Sequence, residues 1–141
     1  DVVFIYLCDK KSLKYKLMFG SESFDSHQII FFLFSDDYLL YLEGSDVFAL
    51  TSREDPFPNV LLDSLAHGLP LIAFDNCGGA PDLLREINEV LIAKTLDIND
   101  FADKILFLLD NDVVYKNISN RSIQLIRDNY QFDQYVSRLI L

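Results

Sequence analysis

The sequence predicts an α/β protein in which an open parallel sheet is flanked by helices. Short apolar runs rich in β-branched and aromatic residues recur along the chain and are typical of strands buried on both faces. The predicted strands are residues 2–7, 29–34, 47–50, 69–74 and 90–93. Segments with helical spacing separate these runs, and strand alternating with helix requires right-handed crossovers between parallel neighbours. We therefore expect a Rossmann-like sheet.

Helices are predicted between the strands and then, without further strands, in the last third of the chain. The predicted helices are residues 12–19, 37–43, 58–67, 81–86, 101–109, 112–129 and 132–141. Asn99 is the expected N-cap of the helix over 101–109, because its side chain can accept a hydrogen bond from the first turn. Asp100 and Asp103 lie near the positive end of that helix, where a negative charge is favourable.

Composition predicts a single folded domain over residues 1–141. Hydrophobic residues make up 50% of the chain, which excludes a disordered segment. The net charge of -10 argues against a nucleic-acid or anionic-membrane binder, and no apolar run approaches the ~20 residues that a membrane span needs. Cys8 and Cys77 are isolated, so we expect two buried thiols and no metal site. Because the chain begins at Asp1 and its single methionine is Met18, we expect a piece of a longer polypeptide.

Ligands of open α/β sheets bind beyond the carboxyl ends of the strands, so the segments that follow strands are the candidate sites. The most informative stretch is residues 46–82. Its first part is a strand, a polar loop containing Asp55, and a helix that begins near Pro58 and ends at Gly68. Asp63 lies on the polar face of that helix.

Each of these acids also has a purely structural interpretation. Asp63 fits a solvated polar stripe, with His67 as its partner at i+4 spacing. Asp55 fits a helix-favouring acid near the positive end of the dipole. Gly78 and Gly79 allow a ligand to approach the backbone closely, yet they are also ordinary turn residues. The chain has no G-x-G-x-x-G and no P-loop, which removes the main support for a common dinucleotide or nucleoside-triphosphate site.

The whole stretch 46–82 resembles the C-terminal, donor-binding domain of the retaining glycosyltransferases of family 4, the glycosyl transferases group 1, whose two-domain fold is called GT-B. The resemblance extends to the segment 35–42, to the strand 69–73 and to the closing helices around 126–135. It implies that the chain is the C-terminal half of such a protein and that the first strand-helix unit of this half lies before Asp1. The family's signature is two glutamates separated by seven residues, which here are Asp55 and Asp63 flanking residues 56–62.

The resemblance implies a role for each matching residue. Asp55 and Asp63 would be the catalytic acids, Asp55 accepting hydrogen bonds from the donor sugar and Asp63 holding the ribose hydroxyls. Glu54 is adjacent to Asp55 and is an alternative for its role. The other implied donor-binding residues are Ser35, Phe57, Pro58, Asn59, Val60, Gly78 and Gly79.

The sequence departs from the family pattern at several positions. Both acids are aspartate rather than glutamate, Pro56 and Pro58 replace two glycines, and Leu33 stands where the family often has glycine. Each proline removes one backbone donor. The basic residues near the predicted strand ends are expected to be surface residues: Lys10, Lys11 and Arg53. The cations that stabilise the diphosphate are therefore expected in the missing upstream segment.

The implied function is retaining transfer of a hexosyl group from a nucleotide-diphosphate sugar, in polysaccharide or glycoconjugate biosynthesis. The acceptor would be a glycan or lipid-linked sugar bound by the absent N-terminal domain, so the isolated fragment is expected to be inactive. No metal or other cofactor is expected, only the nucleotide-sugar donor. The implied location is cytoplasmic, with the full-length protein peripheral to the inner face of the membrane.

Three other functions remain open from the residues alone. A glycoside hydrolase would use Asp55 and Asp63 as acid and base, although a loop and the helix that follows it suit that geometry poorly. A catalytically degenerate nucleotide-sugar-binding module would explain the aspartates and prolines. A receiver domain also alternates strands and helices, but Lys94 follows its strand without the acidic pair that such a domain requires.

Overall fold

The computed structural model divides the chain into two compact units, Asp1–Tyr41 and Leu42–Leu141. The structure describes residues 4–8, 29–33 and 38–130. In the first unit, β1 (Phe4–Cys8) and β2 (Ile29–Leu33) pair in parallel, with Phe4 opposite Ile29 and Cys8 opposite Leu33. Both predicted strands are therefore confirmed. The predicted helix over 12–19 lies outside the described residues, and the single domain over 1–141 stays a prediction.

The second unit contains a parallel sheet of three strands in the order β3-β4-β5. The strands are β3 (Phe48–Leu50), β4 (Leu71–Phe74) and β5 (Ile92–Ala93). Every residue of the central strand β4 is buried, which explains why its sequence is a continuous apolar run rather than an alternating one. The parallel open sheet with flanking helices is thus confirmed.

The fifth predicted strand is shorter than the sequence indicated. Residues Glu89–Leu91 form a 3-10 helix, so that only two residues of the predicted strand over 90–93 are extended. The Asn88 side chain accepts a hydrogen bond from the Val90 N–H at 3.0 Å, which stabilises the turn instead of the strand.

The helices are α1 (Tyr38–Glu43), α2 (Asn59–Ala66), α3 (Ala80–Ile87), α4 (Ile98–Asp110) and α5 (Asp112–Asn129). Each lies where the sequence predicted one, whereas the predicted helix over 132–141 is outside the described residues. The N-cap of α4 is a correction, because Asp97 and not Asn99 accepts the Asp100 N–H, at 3.0 Å. The helix consequently begins earlier than predicted, at Ile98.

The core of the second unit lies where β4 packs between helices. Its largest fully buried side chains include Leu61, Leu65, Leu71, Ile72, Leu84, Ile87, Leu91, Leu108 and Ile118. Cys77 joins this core with 2% of its surface exposed, as predicted for a buried thiol. Within the described parts of the chain, every helix is too short or too polar to span a lipid bilayer.

Candidate functional site

Two loops leave the same edge of the three-stranded sheet. The acid loop, residues 51–58, follows β3, and the glycine loop, residues 75–79, follows β4. Because β3 and β4 are parallel neighbours, with Leu50 opposite Ala73, their carboxyl ends lie side by side. This edge is the place where an open α/β sheet binds its ligands.

The two loops are joined through their main chains. The Asp55 N–H donates to the Cys77 carbonyl oxygen at 2.8 Å, and the Gly79 N–H donates to the Pro56 carbonyl oxygen at 2.9 Å. Asp55 and Gly78 form an isolated parallel bridge between these bonds. The sequence does not predict this pairing, because the paired residues lie far apart in the chain and neither loop has the pattern of a strand.

Both glycines are required by the closeness of this contact. A Cβ atom on Gly78 would overlap the Asp55 carbonyl oxygen, and the φ of Gly78, +124°, lies in a region that other residues rarely adopt. A Cβ on Gly79 would lie 2.5 Å from the Pro56 carbonyl oxygen and 2.9 Å from Cδ2 of Phe57. The glycines therefore allow the acid loop itself to approach, and the Gly79 N–H is already used by Pro56.

The acidic side chains of the acid loop face no partner. Asp55 is half-buried and Glu54 is exposed. Among the described residues, neither carboxylate has a hydrogen bond or an ion pair. Arg53 beside them is exposed, as expected for a surface residue. The loop thus presents two adjacent carboxylates that are open to a ligand with hydroxyl groups.

Helix α2 separates a buried apolar face from a polar one, as its periodicity predicts. Leu61 and Leu65 are fully buried, Asp63 is half-buried, and Asn59 is exposed. The helix follows the acid loop directly, so its first turn and the Asp55 backbone are separated by only a few residues. The structure therefore places Asp55 in the loop just before α2 and Asp63 on the polar face of α2.

A proline and a glycine in the sequence set the two ends of α2. Pro58 occupies the N-cap in an extended conformation, and no side chain of the described residues caps this end. The Leu61 N–H donates back to the Pro58 carbonyl oxygen at 3.0 Å, whereas the N–H groups of Asn59 and Val60 belong to the first turn, which has no intrahelical acceptors. This N-terminus is consequently suited to an anion.

The C-terminus of α2 is closed by a Schellman motif. The Gly68 N–H donates to the Leu65 carbonyl oxygen at 3.1 Å and the Leu69 N–H to that of Ser64 at 2.9 Å. Gly68 has φ +72°, and a Cβ there would lie 2.6 Å from Oγ of Ser119. The predicted left-handed C-cap is confirmed, and the packing of α5 gives it a second reason to be glycine.

His67 contacts Asp63 through the main chain. Its Nδ1 lies 2.8 Å from the Asp63 carbonyl oxygen, so that this nitrogen carries the hydrogen and donates it. Its Nε2 lies 3.6 Å from Oε1 of Glu43. The pairing of residues at i+4 spacing is therefore present, but it uses the Asp63 carbonyl.

Side chains hold the glycine loop from behind. Arg85 donates to Asp75 Oδ1 at 2.7 Å and to Asp82 Oδ1 at 2.8 Å, and the hydrogen bond that it donates to Asp75 raises the pKa of the guanidinium. Asn76, with φ +57°, donates to Oγ1 of Thr95 at 3.1 Å. The sequence analysis missed Arg85, although its spacing from Asp82 suits an ion pair on a helix.

Cys77 belongs to the glycine loop, and its buried side chain carries no reactive thiolate. Burial raises the pKa of its thiol, and the carboxylates of Asp55 and Asp75 act in the same direction. A raised pKa keeps the thiol protonated and unreactive at neutral pH. The residue therefore serves the site through its backbone carbonyl.

The predicted site residue Ser35 lies outside the described part of the chain, as do Lys10 and Lys11, which were expected to be surface residues. Over residues 38–130, together with the two described strands, no group of three or more His, Cys, Asp or Glu side chains is arranged to hold a metal ion.

Comparisons with known proteins agree with this architecture. N-acetyl-alpha-D-glucosaminyl L-malate synthase of Bacillus anthracis is 24% identical over 111 residues, covering 79% of this chain and 29% of that protein. The N,N'-diacetylbacillosaminyl-diphospho-undecaprenol alpha-1,3-N-acetylgalactosaminyltransferase of Campylobacter jejuni is 28% identical over 100 residues, covering 71% of this chain and 26% of that protein. The chain thus spans less than a third of the length of these relatives.

A solved structure supports the fold, and a family pattern covers most of the chain. The crystal structure of TarM superposes with a TM-score of 0.84 over 99% of this chain and 28% of TarM, at 20% identity, which confirms the expected fold. Residues 5–125 match the pattern of the family described as "Glycosyl transferases group 1". The chain therefore belongs to the glycosyl transferases group 1 family.

Proposed function

We propose that the chain is the donor-binding half of a retaining glycosyltransferase that transfers a hexosyl group from a nucleotide-diphosphate sugar. The observation that carries this proposal is the pair of carboxylates on the acid loop, Glu54 and Asp55, which have no partner among the described residues and lie directly before the N-terminus of α2. Family membership supports a transferase. Because the chain spans 26–29% of the relatives compared above, the activity of the whole protein is part of the proposal.

Two kinds of protein group bind the donor: carboxylates bind its hydroxyl groups, and main-chain N–H groups bind its phosphates. The oxygens of Asp55 accept hydrogen bonds from sugar hydroxyls, and those of Asp63 accept from the ribose hydroxyls. The N–H groups of Asn59 and Val60 meet phosphate oxygens at the positive end of α2. Phe57, with 40% of its surface exposed, offers an apolar surface beside the sugar.

The charge of the site limits what it can do alone. Between Asp46 and Asp63 the chain has four acids and a single basic residue, Arg53. The departing diphosphate gains negative charge, which requires positioned cations or N–H donors for its stabilisation. We assign those cations to a part of the protein outside this chain, so the chain alone supplies half of the catalytic site.

The acceptor side and the biological setting follow from the same proposal. The acceptor is a glycan or a lipid-linked sugar bound by a second domain, and the reaction serves polysaccharide or glycoconjugate biosynthesis. Two relatives are named for different acceptors, L-malate and an undecaprenol-linked sugar, so the acceptor varies among related proteins. Reaction at the cytoplasmic side, with peripheral contact to the inner face of the membrane, suits a lipid-linked acceptor.

The experiment is calorimetric titration of the full-length gene product with UDP-sugars and GDP-sugars. Asp63→Ala is expected to weaken donor binding at least tenfold, because two acceptor oxygens for the ribose are lost. Asp103→Ala removes an exposed carboxylate of α4 and serves as the matched control, with unchanged affinity expected. Unchanged affinity of Asp63→Ala would contradict its assigned role, and a wild-type protein that binds no nucleotide sugar would overturn the proposal.

A binding module without catalysis is the second candidate, favoured by one observation. Pro56 and Pro58 have no N–H groups, which leaves fewer backbone donors for the diphosphate than two glycines would. A transfer assay on the full-length protein separates the two. Binding without turnover identifies the module, whereas a product with the anomeric configuration of the donor identifies the retaining enzyme.

A further inference from the structure

The bridge between the acid loop and the glycine loop has a consequence for the donor site. We propose that Gly78 and Gly79 are positioning residues, which hold the Asp55 main chain so that its carboxylate and the N-terminus of α2 form one preformed surface. This inference rests on the proposed function, because it concerns how the donor-binding acid is held. Neither glycine needs to touch the donor for this role.

The ties on the acid loop are on its main chain. The Asp55 N–H and the Pro56 carbonyl oxygen are both bonded to the glycine loop, at 2.8 and 2.9 Å. These bonds lie on either side of the Asp55–Pro56 peptide and so hold the main chain of both residues. Among the described residues, no side chain of the acid loop provides another tie. The orientation of the Asp55 side chain therefore depends on the glycine loop.

The glycine loop can serve as the support because it is itself anchored to the sheet and to α3. The Asp75 N–H donates to the Ala93 carbonyl oxygen of β5 at 2.6 Å, and the Asp75 carboxylate receives Arg85 from α3. Thr95 donates to the Asp75 carbonyl oxygen at 3.1 Å and accepts from Asn76. Hydrogen bonds therefore connect β5 to the glycine loop, and the glycine loop to Asp55.

A preformed loop improves binding because its ordering is complete before the ligand arrives. Fixing the backbone of a residue in one conformation costs conformational entropy. If the acid loop were ordered only by the donor, that cost would be subtracted from the binding energy. The two prolines of the loop, with fixed φ angles, reduce the same cost.

The glycines of the bridge leave too little space for a side chain, so adding a single methyl group tests the proposal. Alanine at position 79 keeps an allowed φ but places its Cβ 2.5 Å from the Pro56 carbonyl oxygen, so the acid loop must move. Alanine at position 78 would overlap the Asp55 carbonyl and is the more severe change. Gly44 is exposed in the turn before β3 and lacks a left-handed φ, which makes Gly44→Ala the matched control.

The experiment is a double-mutant cycle on donor affinity in the full-length protein. Gly79→Ala is expected to weaken the binding of the nucleotide sugar at least tenfold, and Gly44→Ala less than twofold. Because Gly79 acts through Asp55, Asp55→Ala in the Gly79→Ala background should add less than threefold to the loss. Affinity unchanged by Gly79→Ala, or losses that multiply independently, would overturn the positioning role. A merely structural role would lower Tm without this coupling.

Amide hydrogen exchange on the wild-type protein tests the same inference without a variant. The N–H groups of Asp55 and Gly79 should be protected in the absence of any nucleotide sugar. Rapid exchange of both, with protection only after the donor is added, would overturn a preformed surface. If the wild type binds and Asp63→Ala weakens binding while Gly79→Ala does not, only this inference fails; if the wild type binds no nucleotide sugar, the proposed function fails with it.

Discussion

The acid loop and the glycine loop leave neighbouring strands at one edge of the sheet, yet they treat their polar side chains differently. In the glycine loop, Asp75 and Asn76 are bonded to α3 and to the segment after β5. In the acid loop, Glu54 and Asp55 have no such partners among the described residues. Buried polar groups are normally hydrogen-bonded, whereas a carboxylate that is half-buried or exposed can be hydrated or can bind a ligand. The comparison therefore separates a supporting loop from a loop whose acids are available to a ligand.

The sharpest way to break this comparison is to neutralise the two acids of the acid loop one at a time. Asp55→Asn should weaken nucleotide-sugar binding at least tenfold, because the side chain loses its negative charge and one of its two acceptor oxygens for hydroxyl groups. Glu54→Gln is nearly isosteric and should change affinity less than threefold. Isothermal titration of the full-length variants measures both. The free energy of unfolding should change by less than about 0.5 kcal/mol in each, since no internal partner is lost.

The opposite ranking has a clear meaning. If Glu54→Gln is the damaging variant, Glu54 and not Asp55 is the acid that reads the donor sugar. If both variants lose about 1.5–3 kcal/mol of stability, the typical contribution of a hydrogen bond to a charged group, the acid loop is supported by its side chains and the contrast with the glycine loop is wrong.

In the glycine loop, the same kind of change should affect stability instead of binding. Asn76→Ala loses the bond to Thr95 and leaves a residue with a Cβ at φ +57°, so we expect a loss of about 1–2 kcal/mol in the free energy of unfolding. Asn76→Gly is the control, because it loses the same bond but relieves the backbone and should cost less than about 1 kcal/mol. Urea unfolding measures both. Equal losses in the two variants would exclude a contribution from the left-handed backbone.

The segment after β5 offers a stabilising change of smaller size. Leu96 has φ +57° and 56% of its surface exposed, so its side chain contributes little burial to offset the strained backbone. Leu96→Gly should raise the free energy of unfolding by about 0.5–1 kcal/mol, because glycine adopts this conformation without strain. Leu96→Ala keeps the same strain and should leave stability nearly unchanged. A Tm that falls in the glycine variant would contradict this account.

Local signals in the sequence were sufficient for α2 and the strands around it. Pro58 and Gly68 mark the two ends of the helix, and the buried run before Asp75 marks β4, because each depends only on nearby residues. The same rules predicted the wrong cap for α4. Asp97 and Asn99 both suit an N-cap, and the bond from the Asp100 N–H to Asp97 decides between them.

The bridge at the site could not be predicted in the same way. The bridge depends on main-chain groups of Asp55 and Cys77. Nearly every residue type has these groups, so the amino-acid sequence does not reveal which of them will pair. Gly78 and Gly79 were the sign of a close contact in the sequence, but a pair of glycines allows the close approach of a ligand and of a second loop equally well. Tertiary contact was needed to show that the acid loop occupies this space.

The smallest expected effect is a change of stability with pH that comes from the buried thiol of Cys77. Burial raises the pKa of the Cys77 thiol above its ordinary value of 9.0. Above that value the unfolded chain releases this proton while the folded chain retains it, so stability falls as pH rises. Cys77→Ala removes this dependence. The difference in unfolding free energy between the wild type and Cys77→Ala, from urea titrations at pH 7.5 and 10, should therefore shift toward the variant at the higher pH. An unchanged difference would mean that the thiol titrates in the folded protein as it does in the unfolded chain.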